Sequence, residues 1–404
     1  MTKYSEYITQ LRNGSKKLYA LESEIPVPDA INVRRGYIEA ETNSSLANIG
    51  SYSISLEEAS QKNCENIIGT IQIPLGVAGP VQINGEYAQG SFWLPLATTE
   101  GALVASVNRG CSAITKAGGA EVRIFSDAMT RAPVFGARSI AHAKEICDWI
   151  STHQQEIAAV AEETTQFGKL TAIQTMTAGT SVYVRFSFFT GDAMGMNMAT
   201  IASEKSCELI AEKTGAKLVS LSGNACTDKK PAAINSILGR GKTVSAGVHL
   251  KHSDIQSIFK TDTVSLLDVH ARKNFAGSAR ANSLGFNAHA ANIVAAMFIA
   301  LGQDPAHAVE GSLCITTFDP TADGVYAAVT LPALPVGTIG GGTRLATQQE
   351  SLSLLGVNGS GDPPGSNARK LAEIIATGVL AGELSLLGAQ AAQHLARAHK
   401  ALGR

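Results

Sequence analysis

The sequence predicts an α+β fold, and three observations carry that reading. Strand-like runs with alternating apolar residues and Gly/Pro punctuation lie at 71–85, 122–125, 132–135, 170–189 and 312–337. Helical patterns, with apolar residues three and four apart, lie at 4–18, 31–40, 55–64, 96–114, 140–167 and 196–209, and again in the C-terminal stretch. No glycine fingerprint of a doubly wound nucleotide-binding sheet is present: GSGDPPG (359–365) has proline where the third glycine belongs, and GRGKT (239–243) lacks the upstream glycine of a phosphate loop.

Composition narrows the function classes. A chain of 404 residues has mass for two or three domains and a large core. With 17% charged residues and a net charge of −1, nothing favours nucleic acid or an anionic membrane as a bulk partner. Cys64, Cys111, Cys147, Cys207, Cys226 and Cys314 lie far apart, so neither a metal-ligand set nor a disulfide framework is indicated and a reducing, cytoplasmic setting is expected. The N-terminus mixes Lys3, Glu6, Arg12 and Lys16 and does not read as a signal peptide. Ile293–Leu301, the longest strongly apolar stretch in this reading, falls short of the roughly 20 residues a membrane crossing needs, so a soluble protein is expected.

The elements follow in order. Residues 1–48 form a polar helical arm. The run IQIPLGVAGPVQING is extended, and LATTEGALVASVNRGCSAI (96–114) reads as a helix capped by Thr98 or Thr99, with Glu100 in its first turn and Leu103, Val107 and Cys111 on one face. Strands at 122–125 and 132–135 flank a turn at DAMTRAP, which places Arg131 at a strand end. A long helical region, 140–167, precedes the β-rich 170–189. In GDAMGMNM (191–198) a tight turn at Asp192 and Gly195 feeds a helix whose free N–H groups suit a phosphate.

The most polar short segment is SGNACTDKKPAAIN, Ser222 to Asn235. A lysine beside an aspartate stays charged and positioned, which suits stabilisation of a developing oxyanion, although such a tripeptide is ordinarily a solvated loop. Residues from Lys273 through Leu301 read as one long, largely buried helix carrying His289, an expected core histidine, and Asn292. Asp304 then falls at that helix's C-terminal end, where the dipole disfavours an anion, so it needs solvent or a cation. VGTIGGGT (336–343) is a glycine-rich turn. Ser366 caps an amphipathic helix, and the final helix carries His399 near its end.

In order, ENIIG, GVAGP, TTEGALVASVNRG, DAMGMN, SGNACTDKKPAAIN, GQD and the terminal histidine closely resemble the motifs of 3-hydroxy-3-methylglutaryl-CoA (HMG-CoA) reductases of class I, from about Glu65 to His399. The resemblance implies a large substrate-binding domain (49–132 and 220–404) around a long central helix, with a small ferredoxin-like NAD(P)-binding domain inserted at 133–219. It implies a soluble catalytic portion without a membrane anchor, active as a homodimer or homotetramer with sites at the subunit interface. The implied reaction reduces HMG-CoA to mevalonate and CoA with two NAD(P)H, in the mevalonate pathway of isoprenoid synthesis, without a metal. Glu100, Lys229, Asp304 and His399 take the catalytic roles, as proton donor, oxyanion cation, bridging carboxylate and thiolate-protonating imidazole. Arg131, Ser222, Asp228, Lys230, Lys273 and Asn292 are expected at the HMG end, with Asn108 and Arg109 near the CoA portion. Asp192, Met194, Gly195, Met196, Asn197, Gly340, Gly341 and Gly342 are expected at the dinucleotide. NADPH is favoured, with NADH possible because Gln166-Phe167 replaces an expected arginine and Lys169 is the substitute cation. The alternatives are another acyl-CoA thioester reductase or a non-catalytic CoA- or nucleotide-binding relative.

Overall fold

The computed structural model describes residues 4–43 and 45–401, with side chains described as far as Gln393. The helices Ser5–Arg12 and Val27–Thr42 pack on a small core of their own around Leu11, Leu21, Ala30 and Val33. Ten strands follow: β1 Leu75–Asn84, β2 Gln89–Ala97, β3 Ala120–Arg131, β4 Val134–Gly136, β5 Lys169–Ala178, β6 Ser181–Phe189, β7 Lys217–Ser220, β8 Gly241–Lys251, β9 Ile315–Pro320 and β10 Gly324–Leu334.

Strands β4 to β7, with the helices Ile140–Thr152, Gln154–Glu162 and Met196–Thr214, form an antiparallel sheet in the order β7-β4-β6-β5. This is the ferredoxin-like arrangement. It closes on a separate core that includes Phe135, Ile146, Ile157, Val184, Phe186 and Ile210. The larger unit pairs β3, β8, β10 and β9 antiparallel and adds the β1–β2 hairpin through a short parallel contact of β1 with β3. Its core runs continuously between that sheet and the helices Leu103–Lys116, Ala290–Ala300 and Ser366–Ala401.

Four sequence expectations change. DAMTRAP is strand as far as Arg131, leaving only Ala132-Pro133 before β4, because Met129–Arg131 pair with Phe186–Phe188 of β6 and thereby join the two sheets. The helical region 140–167 is two helices that meet at His153. The helix expected from Lys273 to Leu301 is broken: after helical turns to Arg280 the chain leaves at Asn282, in the left-handed region, and Phe286 bridges to Ile315 before helix resumes at Ala290. The central helix is instead the 36-residue Ser366–Ala401, which also merges the two C-terminal helices of the sequence reading.

That helix is longer than Ile293–Leu301, though less uniformly apolar. Between Ser366 and Gln393 its mean hydropathy reaches 1.5 over an 18-residue window, and that window is 94% buried within the fold. Such apolarity is what an internal spine requires. Two fully buried carboxylates on it organise its neighbours. Glu373 accepts N–H bonds from Glu86, Tyr87 and Ala88, which fixes the β1–β2 turn, and burial raises its carboxyl pKa despite those donors. Glu383 accepts from the N–H groups of Ala288 and His289 and from Thr316 Oγ1, at 2.7–2.8 Å. His289 Nε2 lies 2.8 Å from the Gly382 carbonyl, the satisfied core histidine that the sequence predicts. These bonds set the start of Ala290–Ala300 and therefore the position of Asn292. Replacing Glu383 with Ala strands buried donors, and we expect a loss on the order of 3 kcal/mol, read as a lowered melting temperature and denaturant midpoint.

Candidate active site

The lysine loop has no regular secondary structure, and Asn224, Thr227 and Lys229 all adopt positive φ, at 62°, 49° and 56°. A lysine in the left-handed region costs about 1 kcal/mol and persists only where its surroundings hold it. Glu310 does so by accepting the Lys229 N–H at short range. Glu310 is fully buried, and its other oxygen accepts from Arg240 Nη1 at 2.6 Å. Arg240, also fully buried, sends Nη2 to Asp228 Oδ1 at 2.9 Å. The same Asp228 oxygen meets His307 Nε2 at 2.9 Å.

Above this layer Lys229 Nζ pairs with Asp304 Oδ2 at 2.6 Å. The sequence predicts that Asp304 needs solvent or a cation at its helix end, and the half-exposed Asp304 finds the cation in Lys229. The conflict with the helix dipole is further relieved because Asp304 caps the next turn, accepting the Ala306 N–H at 3.0 Å. Burial acts to raise the Asp304 pKa, but the bonds from Lys229 and Ala306 outweigh it and the net shift is downward. Lys229 is shifted upward, chiefly by its bond to Asp304. Both groups are therefore charged at neutral pH.

Asp304 lines a cleft of about 760 Å³ together with Met194, Gly195, Met196, Asn197 and the turn Gly340–Gly342. Two close approaches build it. Gly302 has φ +66° and packs its backbone against Gly342, and a Cβ on Gly337 would collide with the backbone at Ala193 and Met194. Gln303 clamps the same strands by bonding both polar groups of Gly337 at 2.9 Å. Open space beside Gly340 and Gly341 and the uncapped N-terminus of Met196–Thr214 provide backbone donors suited to phosphate oxygens, so these residues fit a dinucleotide.

A family model for hydroxymethylglutaryl-coenzyme A reductase matches residues 30–404. The chain belongs to this family. It is 52% identical to the 3-hydroxy-3-methylglutaryl-coenzyme A reductase of Methanocaldococcus jannaschii over 410 residues, covering 100% of both chains, and 51% identical to that of Methanothermobacter thermautotrophicus, covering 98% of both. The class II reductase of Streptococcus pneumoniae bound to NADPH shares the fold, with a TM-score of 0.65 at 20% identity over 96% of this chain and 97% of that one. The archaeal likeness agrees with the class I-like motifs.

The reductase motif residues separate into two groups within one chain. Lys229 and Asp304 form one. Glu100 and Asn292 form the other, with Asn292 Nδ2 3.4 Å from Glu100 Oε1, in a shallow groove that meets the cleft only at Ile299. Glu100 is not in a helical first turn: the helix starts at Leu103, after Gly101 and a left-handed Ala102, and the exposed Glu100 donates its N–H to Thr98 Oγ1. Lys273 lines a third cavity with Gln390 and Gln393 of the central helix. His399 lies on that helix, beyond the described side chains.

Several residues expected at the ligands have hydrogen-bond partners within the fold. Asp192 is buried and accepts N–H bonds from Gly361, Gly365 and Ala368, so it caps the central helix and anchors the DAMG turn rather than lining the cleft. Arg109 is held by Ser385 through Nε and Nη2, and Asn108 accepts the Gly79 N–H. Arg131 is half-buried at the end of β3 with its Nε unpaired, and Lys230 is exposed with Nζ on the Asp228 carbonyl. Ser222 donates its N–H to Ser220 Oγ. The sequence reading misses Arg240, His307 and Glu310. The spacing Asp304-x-x-His307-x-x-Glu310, which stacks three polar groups along successive turns, is a signal that could reveal two of them. Asp228, His307 and Glu310 bring ligand atoms within 4.8 Å of one another. Arg240, bonded to both carboxylates, supplies the cation there.

Asp228 has a pKa of about 2; burial opposes the shift, and His307, Arg240 and Lys229 together overcome it. A carboxyl held below its unfolded value contributes stability above about pH 4 that is lost as pH falls toward 2. Asp228→Asn should flatten the acid limb of unfolding free energy against pH by on the order of 2 kcal/mol, measured by denaturant titration between those values.

Proposed function

We propose that the protein reduces HMG-CoA to mevalonate and CoA in two successive steps, with Lys229 and Asp304 at the reacting carbonyl. The observation that carries this reading is the 2.6 Å Lys229–Asp304 pair beside a cleft sized for a dinucleotide. Held in a left-handed kink, the Lys229 ammonium is fixed in place before substrate arrives, the condition under which a cation stabilises a developing oxyanion. NADPH, when bound, supplies the hydride in each step. Glu100 gives a proton to the reduced carbonyl oxygen, and His399 protonates the departing thiolate before it can add back to mevaldehyde. Arg131, Ser222, Lys230 and Lys273 hold the HMG carboxylate, with Asn292 orienting Glu100.

Support for a composite site comes from the separation of Glu100–Asn292 from Lys229–Asp304 within one chain. A second copy brings its lysine loop to the Glu100 groove, and the active unit is a dimer or a dimer of dimers. Exposed Ile71, Leu75, Val77 and Trp93 near that groove provide apolar surface for the contact. Lys229→Ala and Glu100→Gln, each inactive alone, should regain about a quarter of wild-type activity when co-expressed, because half of randomly mixed dimers contain one intact site of two. Activity is read as loss of reduced-nicotinamide absorbance on adding HMG-CoA. No recovery would place both residues in the same subunit's site.

For the cofactor we propose NADPH, the ligand named for the S. pneumoniae structure. Lys169, the substitute cation, is exposed and pairs with Glu162 at 2.6 Å, so part of its charge is already offset. The ratio of kcat/KM with NADPH to that with NADH should exceed one and fall in Lys169→Ala. An unchanged ratio would remove Lys169 from 2′-phosphate recognition. The six cysteines are all free, which supports a reducing, cytoplasmic location.

A further inference from the structure

Beneath Lys229 three carboxylates face two permanent cations: Asp228, Glu310 and Asp304 against Arg240 and Lys229 itself. Buried Arg185 adds a further positive charge next to Arg240, but its Nη2 donates to the Gly239 carbonyl at 2.7 Å and not to these carboxylates. The remaining titratable group in this set is the His307 imidazole, which is fully buried between the lysine loop, the segment leading into β8 and its own helical turn. Its Nε2 lies 2.9 Å from Asp228 Oδ1. Its Nδ1 has no hydrogen-bond partner and faces Asp304 Oδ2 at 4.0 Å.

The two protonation states of this ring differ in what they do to Asp304. In the neutral form Nε2–H donates to Asp228, so Nδ1 turns a lone pair toward a carboxylate and two acceptors oppose each other. Asp304 is then held by Lys229 alone, and the ammonium's field is directed into that pair. An imidazolium instead turns a donor toward Asp304, 4.0 Å away, and shares the carboxylate between two cations.

We propose that His307 is a positioning residue whose protonation divides Asp304 between two cations and so turns Lys229 toward the substrate carbonyl. The proton stays on the ring through turnover, and no bond to substrate is involved. The inference rests on the reading of Lys229 as the oxyanion cation. Arg240 and Glu310 complete the device by holding Asp228 and the Lys229 backbone still while the ring titrates. The sign follows: activity is highest with the ring charged and declines as rising pH removes its proton.

The test compares full-length wild type with His307→Gln, which keeps a donor for Asp228 but cannot carry the charge. Profiles of kcat and KM against pH are measured with HMG-CoA and with mevaldehyde. Mevaldehyde reduction releases no thiolate, so a limb due to His399 is confined to HMG-CoA. With mevaldehyde, wild-type kcat should fall as pH rises. His307→Gln should lack that limb, with kcat lowered about tenfold at the acid end and KM little changed, the effect of removing one charge-assisted hydrogen bond behind a reacting group. A variant that keeps the wild-type limb, or that is slowed equally at every pH with the limb intact, overturns the proposal. Should His307→Gln fail to fold, histidine NMR titrations of wild type and Asp304→Asn decide it: one imidazole must titrate lower in Asp304→Asn, and identical titrations refute the link. A wild type that does not reduce HMG-CoA at all sinks the parent reading, whereas the NMR comparison still reports on His307 and Asp304 by themselves.

Discussion

The site depends on a guanidinium with no access to water. Arg240 bonds Asp228 on one side and Glu310 on the other, and Glu310 in turn holds the Lys229 backbone in a conformation that lysine does not favour. A buried ion network of this kind adds little net stability over apolar packing, because desolvation offsets most of the attraction, but losing one member leaves its partners charged and unpaired. Its value is geometric. It converts a polar loop without secondary structure into a rigid platform, and the Lys229 ammonium inherits that rigidity.

The central helix does the same work for the larger unit. Its apolar surface fills the space between sheet and helices, while Glu373 and Glu383 reach out of it to collect backbone N–H groups from two separate turns. Asp192 performs the converse task, capping the helix start from the small domain's turn. Carboxylates that the chain carries far apart thus act as clamps, and each clamp fixes one wall of a groove or cleft. Cleft and Glu100 groove meet at Ile299, on the helix whose start Glu383 sets.

The motifs make much of this legible. Local chemistry identifies Asp304 as an anion in need of solvent or a cation, since the dipole argument uses only its neighbours in sequence, and Lys229 stands there. It also leads to the glycine turn at 340–342 and the helix N-terminus at Met196, because both follow from backbone preference. Glu100 is misplaced within its helix by the same local view: Thr98 looks like a cap, and the left-handed Ala102 that delays the helix has no local signature. DAMTRAP reads as a turn because its pairing partner in β6 lies more than fifty residues away.

What the amino-acid order determined by itself was therefore what depends on near neighbours: an α+β chain, many of its strand and helix segments, the glycine turns, and a set of motifs specific enough to point to the reductase family. Only the tertiary structure decided which charges face one another. It assigned Arg240 from a rejected phosphate-loop match to the heart of the site, drew His307 and Glu310 into it, and gave Asp192 and Arg109 partners far away in sequence. The reason is that a buried ionic group is defined by partners brought from distant segments, and periodicity and propensity, which act over a few residues, carry no information about them.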